Sequence, residues 1–95
     1  MARKPTLFRV IVEEMPGVCH AGYKPGDVFE FKGIATPDGF CGGAYHALFP
    51  LLFAMNMGQD PPWEKEPGVG HSMCPDPQGK LVFRVEAIRD QSEEA

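Results

Sequence analysis

Hydrophobic and polar residues alternate with a period of two in three short segments of this chain. From Leu7 to Met15 the order Leu-Phe-Arg-Val-Ile-Val-Glu-Glu-Met puts Phe8, Val10 and Val12 on one face and Leu7, Arg9, Ile11 and Glu13 on the other, because successive strand side chains point to opposite sides. Its β-branched residues favour extended backbone, and Pro16-Gly17 closes it. Asp27 to Lys32 alternates again, with Phe29 and Phe31 inward and Glu30 and Lys32 outward. A Pro25-Gly26 turn precedes it. Leu81 to Ile88 is the third such run, with Leu81, Phe83 and Val85 inward and Arg84 and Glu86 outward.

The pattern changes after the Pro37-Asp38-Gly39 turn. Roughly Gly42 to Met57 predicts one helix, and Ala44 to Met55 within it contains a single residue that ionises near neutral pH, His46. A segment of this length is too short to cross a bilayer, which needs about 20 apolar residues. An apolar helix of a water-soluble fold must be buried on every side. The sheet covers one side, so Tyr45, Phe49 and Phe53, spaced four apart, are expected to meet another copy of the chain, a partner or a loop. Pro50 has no N–H for the carbonyl of His46, which predicts a kink, a break or the start of a second helical segment. Gly58 to Lys80 reads as one long irregular connection holding five of the chain's ten prolines.

These elements predict an α+β domain: a small, mostly antiparallel sheet packed against one apolar helix, with a long Pro/Gly-rich loop. Its 95 residues form a single domain, with an ordered core over about 6–89 and a polar tail at 90–95. The 11 glycines and 10 prolines fit a turn-rich chain. The net charge is −4 and the basic residues are scattered, which excludes the basic face of a nucleic-acid binder. Met1-Ala2-Arg3-Lys4 is basic, but Pro5 to Glu14 lacks the apolar centre of a secretory signal, so the expected location is cytoplasmic. Free thiols are normal there.

The candidate chemistry lies in three cysteines beside turns: Cys19, Cys41 and Cys74. Their separations of 22 and 33 residues (41 − 19 and 74 − 41) match no compact zinc finger or ribbon. Cys41 stands at the predicted helix start, where unpaired N–H groups favour a thiolate, and Gly42 and Gly43 leave room for a cofactor to approach the backbone. One reading is a metal-binding domain, with zinc or an iron–sulfur cluster held by Cys19, Cys41 and Cys74 and with His71 in the fourth position. With a non-protein group or an open position there instead, the three cysteines would make the kind of shell that a catalytic metal centre needs. A second reading is a cysteine-dependent enzyme or redox protein without metal, with Cys41 as nucleophile, His20 or His71 as base and Asp76 or Asp27 as orienting carboxylate. The third is a structural or accessory subunit that uses helix 44–57 for homo-oligomer or partner contacts. Each residue also has a plain role: cysteine as a small buried hydrophobe, histidine bonded to a carbonyl, Asp27 and Asp76 holding turns, Trp63 as a packing plug.

The order Cys19-x-x-Gly22-Tyr23-x-x-Gly26-Asp27, then Cys41-x-x-Ala44-x-His46-x-Leu48-x-Pro50, then Gly58, Pro62-Trp63 and Cys74-Pro75-Asp76 resembles a family of small prokaryotic proteins of about this length. The match runs from about residue 7 to 88. That family has no assigned reaction. The resemblance implies that cysteines at these three places make up a site. The position of Tyr23 is often His in that family, so a ligand or base supplied there would be missing from this chain.

Overall fold

A computed structural model describes residues 6–19 and 21–88. His20 and the polar tail lie outside the described residues. Within them the elements run β1 (Leu7–Glu14), β2 (Val28–Lys32), α1 (Gly42–Asn56), β3 (Val69–Met73) and β4 (Val82–Ile88). The strands form one antiparallel sheet in the order β2-β1-β4-β3, an α+β fold.

The alternation expected in β1, β2 and β4 becomes the inner face of that sheet. Phe8, Val10, Val12, Phe31, Phe83 and Val85 are buried, and Leu81 joins them just before β4. Helix α1 lies across this face and buries Ala44, Leu48, Leu52 and Met55, a row at three- and four-residue spacing. On the other face of the sheet Arg9 and Arg84 both bond Glu86, at 3.3 and 2.8 Å, and Arg84 reaches Glu66 at 3.2 Å. The hydrogen bond from Arg84 is the main reason that the Glu86 carboxyl is held below its ordinary range.

Two expectations need correction. The stretch from Gly58 to Lys80 is not one irregular loop, because β3 interrupts it and gives the sheet a fourth strand. The sequence Val-Gly-His-Ser-Met has little strand propensity of its own. Its second residue is glycine for a packing reason: a Cβ on Gly70 would stand 2.9 and 3.0 Å from the methyl carbons of Leu51 and 3.2 Å from the sulfur of Met55. The strand pairs with β4 while α1 presses on it, so it is specified by tertiary packing. The second correction concerns Pro50, which neither ends α1 nor opens a new segment. Its position is exposed, and a carbonyl without its helical partner can be hydrated on that side.

The side of α1 away from the core carries an aromatic row. Tyr45 and Phe49 rings lie 5.8 Å apart and Phe49 and Phe53 rings 5.7 Å apart, with 38% of Phe49 and 47% of Phe53 exposed. Tyr45 is anchored by stacking on Phe31 and by donating its hydroxyl proton to the carbonyl of Ile34. No helix among the described residues is long and apolar enough to cross a membrane.

The two sides of α1 should differ sharply in energy. Leu52→Ala is expected to lower the unfolding free energy by about 2–5 kcal/mol. Phe53→Ala should cost less than about 1 kcal/mol. Urea unfolding of the two variants checks this, and equal losses would contradict the assignment of the buried face.

Candidate functional site

Topology brings the three cysteine-bearing segments to one end of the sheet. Glu14 at the end of β1 pairs with Val82 at the start of β4, so the connection after β1 and the connection before β4 leave the sheet together. Backbone bonds then join them: Gly17 donates to the carbonyl of Gly79 at 3.2 Å and Val18 to that of Gln78 at 3.1 Å. The approach is close enough to require glycine. A Cβ on Gly17 would fall 1.6 Å from the carbonyl oxygen of Gln78.

The start of α1 is tied to the same end by Tyr23. The backbone N–H of Cys41 donates to the Tyr23 hydroxyl at 2.9 Å. The Tyr23 ring sits in an aromatic cluster, 4.8 Å from Phe29 and 5.6 Å from Phe40. Phe40 also meets Phe31 and Phe83 edge-on or tilted. Aromatic packing between the sheet and the residue before Cys41 therefore fixes where α1 begins. Sequence reading identified Tyr23 only as a motif position. What it missed is the phenol as acceptor for a helix-start N–H, and the signal for that was a tyrosine among turn residues.

Cys41 is the N-cap of α1, with φ −63° and ψ 124°, and its side chain makes no capping hydrogen bond. Gly42 and Gly43 follow, both exposed, and a Cβ on Gly42 would meet nothing within 4 Å. The Cys41 thiol is half-buried, as are those of Cys19 and Cys74. All three pack against the same hydrophobic core and none is in a disulfide. They are thus set at one end of the domain, each at the border between core and water. Among the described residues, no three or more His, Cys, Asp or Glu side chains form a group that could hold a metal ion.

The other candidate residues are engaged elsewhere. His71 lies on β3 with Nδ1 2.9 Å from a Glu64 carboxylate oxygen and Nε2 3.2 Å from one of Glu13. With both ring nitrogens facing carboxylates, the imidazole as placed turns no lone pair toward Cys74. Asp76 holds its own turn, accepting the N–H of Gln78 at 3.0 Å through its side chain and that of Lys80 at 3.0 Å through its carbonyl. The Asp27 carboxylate accepts the N–H of Lys24 at 3.0 Å and pairs with its ammonium at 3.4 Å. His20 lies outside the described residues. Trp63 does not plug the core: its side chain is 75% exposed. Comparison with family models, with characterised proteins and with solved structures finds no match.

Two expectations follow from this geometry. Gly17→Ala must push apart the loops that carry Cys19 and Cys74, at a cost of about 1–3 kcal/mol or more. Gly42→Ala, in open space, should be close to neutral, and thermal melts of the two variants make the comparison. The second concerns His71. Its hydrogen bond to Glu64 raises its pKa above the ordinary 6.5; burial opposes this, and the charges of Glu64 and Glu13 add to it. Because the folded-state value is the higher one, the clamp's stabilisation is fully present below about pH 6.5 and is lost as pH rises through the raised value. His71→Gln should flatten this part of the stability–pH curve, measured by urea unfolding at a series of pH values. A variant with the wild-type pH slope would refute the clamp.

Proposed function

We propose that this chain is a small cysteine-dependent domain whose working group is the Cys41 thiol, with Cys19 and Cys74 on the adjoining loops. One observation carries this reading. Cys41 is fixed through its backbone by Tyr23, while its own side chain makes no cap bond and opens onto two exposed glycines. A rigid backbone under a reachable thiol is the arrangement that nucleophilic or redox use of cysteine needs. Three free thiols in one small domain also suit a reducing compartment such as the cytoplasm.

The meeting of three cysteine loops at one end of the sheet favours a second reading, a zinc or iron–sulfur centre held by Cys19, Cys41 and Cys74. As the described side chains stand they do not form a ligand set, so such a centre requires the loops to draw together around it. The exposed row of Phe49 and Phe53 supports association with another copy or a partner alongside either reading.

Anaerobically purified protein separates the two chemistries. The thiol reading expects no stoichiometric metal, three titratable thiols, and alkylation of Cys41 faster than that of Cys19 or Cys74 at neutral pH. In Cys41→Ser the fast phase should vanish while the other two thiols keep their rates. Stoichiometric zinc or iron that Cys41→Ser releases would instead establish the metal centre. Alkylation of Cys41 no faster than the others, without metal, would overturn both.

A further inference from the structure

A second site lies between α1 and the segment that leads into β3, and its lining includes no cysteine. It is a cavity of about 450 Å³, within the range of small-molecule pockets. Pro50, Leu51 and Ala54 of α1 form one wall, and Pro61 and Pro62 the other. Polar contacts hold these walls in place. The Ser72 hydroxyl donates to the carbonyl of Ala47 at 3.0 Å and so ties β3 to the helix. Where the helix ends, the N–H of Gln59 donates to the carbonyl of Ala54 at 3.0 Å. The Gly68 N–H donates to Asp60 Oδ2 at 2.8 Å, and Glu64 meets His71 at 2.9 Å. The cavity is therefore built by the fold, and a ligand does not have to order its walls.

The ionisable groups of the lining, Asp60 and His71, belong to that framework. Asp60 is engaged by the Gly68 N–H, and His71 has both ring nitrogens against carboxylates, those of Glu64 and Glu13. An incoming ion would exchange its water for apolar walls and for groups that already have other work, which is costly. Gln59, the remaining polar residue of the lining, is uncharged. The proline walls offer ring C–H groups and no N–H donor. Trp63 also lines the cavity, with most of its surface in water. An indole exposed beside apolar walls gains most from a second flat ring, through burial and through offset stacking.

We propose that this cavity binds a small neutral aromatic molecule. Its ring lies between Pro50 and Ala54 of the helix and the two prolines opposite, with the Trp63 indole stacked on it. A saturated molecule of the same shape gains the burial alone. A charged one, of either sign, gives up hydration that the lining does not replace.

Trp63 is the chain's one tryptophan, so its indole N–H gives a single nuclear magnetic resonance signal that reports on this cavity. Titration of the full chain with 2-naphthalenemethanol, its decahydro analogue, 2-naphthoate and 2-naphthylmethylammonium is the test. The neutral aromatic is expected to shift the signal saturably and to bind about fivefold tighter than its saturated analogue. Against either ion the preference should be about tenfold or more. Ala54→Leu, which fills the cavity from the helix side, should abolish binding while the thermal melt is retained. Trp63 is exposed, so Trp63→Leu leaves the core intact. Followed through the amide signals of Ala54 and His71, this variant should bind the aromatic alcohol and its saturated analogue about equally. Absence of a saturable shift with the neutral aromatic, an ion that binds as tightly, undiminished binding by a folded Ala54→Leu, or a Trp63→Leu variant with the aromatic preference intact would each overturn the proposal.

Discussion

One helix has to cover one face of a four-stranded sheet, and it is too narrow to do so. The buried row of Ala44, Leu48, Leu52 and Met55 shares one core with Phe8, Val10, Val12, Phe83 and Val85 of β1 and β4, and the helix itself approaches β3 most closely. The chain covers the two edges of the sheet differently. On the β2 side an aromatic cluster built from Tyr23, Phe29, Phe31 and Phe40 fills the gap. On the β3 side the helix drops onto Gly70, and a proline-rich segment spans the remaining space. The interesting places in this molecule are these two margins. Cys41 emerges from the aromatic cluster, and the apolar cavity opens under the proline-rich segment.

The aromatic margin explains how remote cysteines come to share one end of the domain. Their separation in the chain says nothing about proximity. The pairing of Glu14 with Val82, the bonds of Gly17 and Val18 to the 78–79 turn, and the Tyr23 hydroxyl at the Cys41 N–H bring the segments together one after another. None of these involves a sulfur atom. The scaffold therefore positions the loops by backbone and ring contacts and leaves the Cys41 side chain without a capping hydrogen bond at the helix start.

Legibility in the sequence followed the balance between local and non-local forces. β1, β2, β4 and α1 were readable because side-chain alternation and an unbroken apolar run are local signals that the core then uses directly. β3 was not, because Gly70, His71 and Ser72 carry no strand preference and the strand exists through its ladder with β4 and the weight of α1 upon it. The cysteines were legible as candidates, but their arrangement was not. Asp27 and Asp76 turned out to brace their own turns, as their Pro-flanked settings suggested. The pairing of His71 with Glu13 and Glu64 could not be read at all, because it joins residues 58 and 7 positions apart (71 − 13 and 71 − 64) through a strand that the sequence did not reveal.

The Glu64–His71 contact has a consequence for self-association. β3 is an edge strand, and an edge offers unpaired backbone donors and acceptors to any passing chain. The leash from Glu64 keeps the proline-rich segment beside that edge, and proline cannot extend a sheet by donating an N–H. At the opposite edge β2 is only five residues long, and Glu30 and Lys32 set charges along it. Each border of the sheet thus carries its own deterrent against adding a foreign strand. Loss of the leash would leave β3, the border with the weaker strand preference, as the place where two copies could join sheet to sheet.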